Sequence, residues 1–251
     1  MKKSLWKNCI AGISAGVFLI AVYFLAQAVV GNPLLFPPFS DCVKSFVYLL
    51  GDGAFYRALG RTLLRVISAF GISFIPALIL AVVAYLYPTL EKFFSPVTSV
   101  FRSLPTLAVL LIILFWMSAG TAPIAVAFLT LFPALYTGIL AALKQTDRGL
   151  IEMSKTYAVP LRKRVFSLYL PSALPYTLRE SASALSLALK LVASAEVLAG
   201  TFLSLGGMMQ DAKLYFDTPL LFALVGATFI VGLALEGLGS VVAYFIERRL
   251  K

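Results

Sequence analysis

The sequence predicts an all-α membrane protein of about six transmembrane helices with both termini in the cytosol. Three observations predict it. Hydrophobic residues fill 61% of the 251 positions and charged residues 13%, against about 25% charged in soluble domains. Apolar runs near the roughly 20 residues that a helix needs to cross a hydrocarbon core recur at 9–30, 63–87, 97–118, 122–143, 181–203 and 219–246. With the N-terminus inside, 15 of the 21 Lys and Arg fall in inner segments, five in outer ones and Lys190 within a span, the bias of the positive-inside rule.

The net charge of +10 would suggest nucleic acid or anionic lipid as the partner of a soluble domain. Here the charges lie in short segments between apolar runs and report topology, so membrane lipid is an expected partner and nucleic acid is not. The sequence has no histidine, and Cys9 and Cys42 flank the first run on opposite sides. Neither a disulfide framework nor a Cys/His metal site is expected. No nucleophile–base constellation marks a catalytic centre, no GxxxxGK[ST] phosphate loop occurs, and no internal repeat divides the chain. The expected catalytic and metal residues are none, and energy has to come from another chain.

Taken in order, Lys2, Lys3 and Lys7 before an apolar run and Ala26-Gln27-Ala28 imitate a secretory signal. The run from Cys9 to Val30 exceeds the about 7–15 residues of a signal core and reads as an uncleaved first helix. Ser40 is placed to cap a short outer helix with Val43, Phe46, Val47 and Leu50 on one face and Gly51 to stop it. Arg57, Arg61 and Arg65 share a face leading into the second span. They read either as anchors snorkelling to the outer headgroups or as a vestibule that attracts anions. Pro105 heads the third run, where proline suits a first turn. Segment 204–218, with a Gly pair and three charges, reads as an outer loop with about one helical turn.

Between the fourth and fifth runs, residues 152–171 form a basic, Pro-punctuated island, EMSKTYAVPLRKRVFSLYLP. Gly149 to Tyr157 suits one short helix, interrupted at Val159-Pro160 because the residue before proline avoids the helical region. Pro160 suits the first position of a second helix over Leu161 to Tyr169, which Pro171 is expected to stop. In the fifth run Ser183, Ser186, Lys190, Ser194 and Thr201 fall on one helical face. One reading is a water-facing pathway in which Lys190 supplies positive potential for anions. The other is close packing on small residues, with Lys190 neutralised by Glu236 at a comparable depth on the sixth span. Glu196, about 240° around the helix, is a poor partner for Lys190.

The island resembles the Glu-Ala-Ala loop of ABC importer permeases. In that family the triplet is followed by Gly four residues after its second Ala, and by Ile-x-Leu-Pro ten residues beyond. Glu152, Leu170 and Pro171 match, Leu168 stands for Ile, and Met153, Ser154 and Ala158 replace Ala, Ala and Gly. With Ala158 at the bend, the turn is expected around Val159-Pro160 rather than in the left-handed region. The resemblance extends to Phe36-Pro37-Pro38, Arg102-Ser103-Leu104-Pro105, Ala195-Glu196-Val197-Leu198, Tyr215-Phe216-Asp217-Thr218 and Glu247-Arg248-Arg249, which look like the nitrate, sulfonate and taurine branch.

The resemblance implies a type I ABC importer permease fold: one permease domain over 1–251, with a core at about 55–247 and a cytosolic coupling loop at 144–179. It implies a multi-pass protein of the prokaryotic plasma (inner) membrane working by alternating access, and a permease homodimer. It further implies a cytosolic ATPase that carries MgATP, no cofactor on this chain, and an extracytoplasmic binding protein. Glu152, Met153, Ser154, Ala158, Pro160, Leu170 and Pro171 would be the ATPase-coupling residues, and Ser183, Ser186, Lys190 and Ser194 pathway candidates. The cargo would be a small solute: an anion such as a sulfonate, nitrate or bicarbonate, or a vitamin precursor. The rival reading is a self-sufficient secondary carrier or channel using Lys190, Glu196 and Glu236 for ion coupling; the missing two-half repeat stands against it.

Overall fold

The computed structural model describes residue 14, residue 18 and residues 20–250. Cys9 and the lysines before it lie outside these. The described chain is helical: α1 (Ile20–Val30), α2 (Phe39–Gly51), α3 (Gly53–Leu86), α4 (Pro88–Ser103), α5 (Thr106–Ile113), α6 (Ala122–Lys144), α7 (Arg148–Thr156), α8 (Leu161–Arg164), a π-turn (Val165–Tyr169), α9 (Leu170–Ala199), α10 (Leu205–Leu214) and α11 (Thr218–Leu250). Among the described residues four helices are long and apolar enough to cross a membrane, or five if the bent pair α4–α5 counts as one span. The six expected runs are thus four full helices, a broken pair and α1, of which residues 20–30 are described.

The core is a layer of α3, α6 and α9, with α11 packed on α9. Val66, Ala69, Ala77, Leu131, Leu135, Tyr136, Ala188 and Val192 are buried in it. Small residues carry much of this contact, as expected where helices associate in lipid. Large apolar side chains on the outer faces, such as Ile75 and Phe229, stay exposed, the inverse of a soluble protein.

Several elements differ from expectation for identifiable reasons. The third run is not one straight helix: α4 and α5 meet at 87°, because Leu104 before Pro105 is extended (ψ 128) and Pro105 starts α5 as its N-cap. Arg102 near the end of α4 donates to the Pro133 carbonyl (3.3 Å) and to the Thr137 hydroxyl of α6, and Glu91 pairs with Lys144 at 2.5 Å. Ser40 lies inside α2, whose N-cap is Pro38 without a side-chain bond. The Asp52 carboxylate accepts from the Ala54 amide and starts α3 ten residues before the apolar run. Segment 204–218 holds a ten-residue helix, capped by Ser204 accepting from the Gly207 amide at 2.8 Å. Pro171 does not stop the second island helix, which runs into α9 as one 39-residue helix from Leu161 to Ala199. The π-turn immediately before it widens the coil, with the Leu170 amide reaching the Val165 carbonyl, and this accommodates a proline ring that would clash in a regular α-turn.

Candidate functional site

Two ends of the bundle hold the polar groups. At the first, α7 is fixed at both termini. Its Asp147 cap accepts from the Gly149 amide at 2.6 Å and the Leu150 amide at 3.3 Å. At the other terminus the Val159 amide donates to the Ser154 carbonyl and the Ala158 amide to the Lys155 carbonyl, the paired bonds of a Schellman closure. That closure needs a left-handed residue, and Ala158 supplies it at φ 49. The bend expected around Val159-Pro160 is therefore a left-handed one at Ala158, and Pro160 follows as the N-cap of α8.

The seat of α7 is Ile151, packed on the core, and Ser154, buried with its hydroxyl donating to the Ile151 carbonyl at 2.7 Å. Leu150, Met153 and Tyr157, spaced i, i+3, i+7, are exposed by 44%, 53% and 76% and share one side of the helix. Glu152 is exposed beside them, as are Arg162 and Lys163 on α8. Ser154 faces the bundle rather than solvent, and Leu170 and Pro171 are half-buried in the helix that leaves the loop.

At the opposite end, Glu196 near the close of α9 is fully buried. Its carboxylate accepts from the Thr62 hydroxyl (2.9 Å), Arg65 Nη1 (2.9 Å) and the Gly206 amide (3.2 Å). Arg65 Nε donates to the Gly120 carbonyl at 3.0 Å, and the Thr62 hydroxyl accepts from the Leu205 amide at 3.0 Å. Thr201 ties in the Ala119 carbonyl at 2.6 Å. Gly206 is required here because a Cβ would fall 2.4 Å from that of Glu196. One knot thus binds α3, the α5–α6 connection, α9 and α10. Arg65 is neither a headgroup anchor nor a vestibule wall but half of a buried ion pair, whereas Arg57 and Arg61 remain exposed.

The fifth-span stripe divides. Ser186, Lys190 and Ser194 line a cavity of about 300 Å³ between α9 and α11, together with Glu236; Ser183 is outside it and Thr201 belongs to the knot. Lys190 and Glu236 form no ion pair. They are also not at one level: a Cβ at Gly232 would lie against Ser186 and Leu189, and one at Gly239 against Ala182. Glu236 therefore sits level with about residue 184, one and a half turns from Lys190.

Comparison with known proteins fixes the family of the chain. The family model for the binding-protein-dependent transport system inner membrane component matches residues 73–251. The chain belongs to this family. Among curated relatives of the permease, the taurine transport system permease protein TauC of Escherichia coli is 24% identical over 88% of this chain and 82% of its own. The riboflavin transport system permease protein RibX of Chloroflexus aurantiacus is 30% identical over 64% of this chain and 59% of its own. The formylaminopyrimidine transport permease protein ThiX of Halalkalibacterium halodurans is 23% identical over 86% of each. In fold, the permease resembles a solved amino acid ABC transporter (TM-score 0.63, 20% identity, 76% of this chain and 93% of the other). It also resembles the inward-facing MetNI methionine ABC transporter (0.62, 20%, 79% and 96%).

The protein is a multi-pass membrane permease subunit of an ABC importer of the taurine-type branch, and the independent-carrier reading gives way. The groups that reading relied on are not assembled as one site, because Glu196 is consumed in the knot while Lys190 and Glu236 face the cavity. The knot went unread in the sequence although it had a signal: a lone carboxylate in an apolar run needs a buried partner.

Proposed function

We propose that two copies of this permease form the core of an importer whose α7 end faces the cytosol, where separate ATPase subunits bind and hydrolyse MgATP. An extracytoplasmic binding protein delivers solute at the Glu196 end. In this reading α7 is the coupling helix. The observation that carries it is the exposed stripe of Leu150, Met153 and Tyr157 on a helix fixed at both termini. An apolar stripe at an aqueous end marks a protein interface, and a rigid helix transmits displacement instead of absorbing it. Glu152 adds a charged contact beside the stripe. Ser154 and Ile151 seat the helix, and the continuous helix from Leu161 through Leu170 and Pro171 into α9 carries its motion to the cavity. Arg162 and Lys163 brace the loop or hold anionic headgroups.

The cargo is a small solute: an anion such as a sulfonate, nitrate or bicarbonate, or a vitamin precursor. This reading draws on relatives named for taurine, riboflavin and formylaminopyrimidine transport. Co-expression with the cognate ATPase and binding protein, followed by reconstitution into proteoliposomes, tests it. ATP-driven uptake that requires the binding protein is expected; ATP-independent transport by the purified chain alone would overturn it.

A further inference from the structure

Arg57, Arg61 and Arg65 recur every four residues on α3, but only the last has an anion: Arg65 meets Glu196 at 2.9 Å. Among the described residues Arg57 and Arg61 make no ion pair or hydrogen bond, and both are exposed. Like charges one turn apart on a helix repel, so an anion between them is stabilising. The pair lies on an open surface groove with Tyr56, Leu64, Ile67 and Leu203, and no carboxylate lines it. The Tyr56 hydroxyl donates to the Leu50 carbonyl at 2.9 Å, which fixes the ring as one wall.

The surface beyond the arginines decides the kind of anion. Arg57, Arg61, Leu64, Ile75 and Ile79 fall within about 60° of one another around α3 at 3.6 residues per turn, and all five are exposed. A Cβ at Gly60 or Gly71 would meet nothing within 4 Å, so no described element fills the space beside either. Leu64 to Ile75 spans about 16 Å at 1.5 Å per residue, close to half of the roughly 30 Å hydrocarbon core. Arg61 stands just before the apolar run that begins at residue 63, the level of the headgroups. A soluble anion would engage the guanidinium groups and leave the apolar stripe bare, whereas a phospholipid uses both. We propose that this face binds an anionic phospholipid, its phosphate held by the forks of Arg57 and Arg61 and an acyl chain laid along Leu64 to Ile75. Such a site has to be open, because lipid enters it sideways from the bilayer. Its assignment to the outer leaflet rests on the importer reading; its binding chemistry does not.

The test uses the full-length permease in non-ionic detergent micelles with phosphatidylglycerol that carries a diazirine in its acyl chain. After irradiation, adducts mapped by peptide mass spectrometry should concentrate on residues 64–75. Unlabelled phosphatidylglycerol should displace the probe at a concentration about thirtyfold below that needed of phosphatidylcholine, the scale of two basic residues at an anionic surface. Glycerol phosphate should not displace it. Arg57→Gln combined with Arg61→Gln should erase the preference for phosphatidylglycerol. Arg57→Lys with Arg61→Lys, which keeps the charge without the forks, should retain part of it, and this separates headgroup recognition from a folding defect. Equal displacement by the two lipids, or a preference that survives the glutamine pair, would overturn the site. Displacement by glycerol phosphate would make it a site for soluble anions, and absence of adducts on the stripe would mean that something else, such as a second copy of the chain, covers it; either also overturns the proposal. Failure of the importer reading would show separately, as absence of ATP-driven uptake in reconstituted complexes, and would leave the lipid preference in place.

Discussion

Glu196 and Glu152 mark opposite ends of the α6–α9 core and have opposite surroundings. Glu196 is fully buried and accepts from three donors on α3 and α10. Glu152 is exposed, its carboxylate bonded to nothing in the described chain, on a helix whose apolar stripe is also uncovered. The first end satisfies its polar groups internally and gains rigidity. The second keeps a rigid helix but leaves its outer face uncovered, the face proposed for the ATPase. The coupling proposed for α7 needs this asymmetry, because a force applied there moves the bundle only if the far end holds together.

The largest break in this comparison is Glu196→Ala. Removing one partner of a buried ion pair leaves the other uncompensated, at a cost of about 3–5 kcal/mol, so the detergent-solubilised permease should melt lower and accumulate poorly. Glu152→Ala should leave melting at the wild-type value while weakening capture of the ATPase. Equal melting of the two variants would remove the distinction between the ends.

Met153→Asp comes next. A charge in the centre of the stripe should cost about 2 kcal/mol of ATPase binding, as loss of an interface anchor does, roughly a thirtyfold rise in dissociation constant. Membrane abundance should not change. At the other end Gly206→Ala should destabilise by about 1–3 kcal/mol through overpacking, since its new methyl falls 2.4 Å from the Glu196 Cβ. Calorimetry that finds Gly206→Ala neutral would mean that α10 can slide on α9 and is not pinned by the knot.

How far the sequence could be read follows the range of each interaction. α6 and α11 coincide with their apolar runs to within a few residues because length and hydropathy are local properties. The third run failed because composition is blind to direction: apolar residues continue through Leu104-Pro105 while the backbone turns by 87°. Arg65 was grouped with Arg57 and Arg61 by their four-residue spacing, yet its partner lies 131 positions away. The Gly206-Gly207 pair suggested a loop; in the fold Gly206 allows a helix to approach Glu196 closely. In the island, the two-helix pattern was legible, but Ser154, read as an ATPase-coupling residue, is buried against the bundle, and Ala158 was assigned away from the left-handed region on residue type alone.

That last difference gives the smallest and most local prediction. The same closure ends α7 and α9: Val159 and Thr201 amides donate back to the Ser154 and Glu196 carbonyls, around left-handed residues Ala158 (φ 49) and Gly200 (φ 61). One end uses glycine and the other tolerates alanine, at a strain of about 1 kcal/mol. Gly200→Ala should therefore cost about 1 kcal/mol, read as a lower melting temperature. Ala158→Gly should gain only about 0.5 kcal/mol, because glycine relieves the strain but also enlarges the unfolded ensemble. Slower amide exchange at Val159 in Ala158→Gly would show that the bend holds the loop. Faster exchange would mean that the turn is governed by Val159-Pro160 instead, and that alanine at 158 supports α7 more by limiting the free chain than it strains the fold.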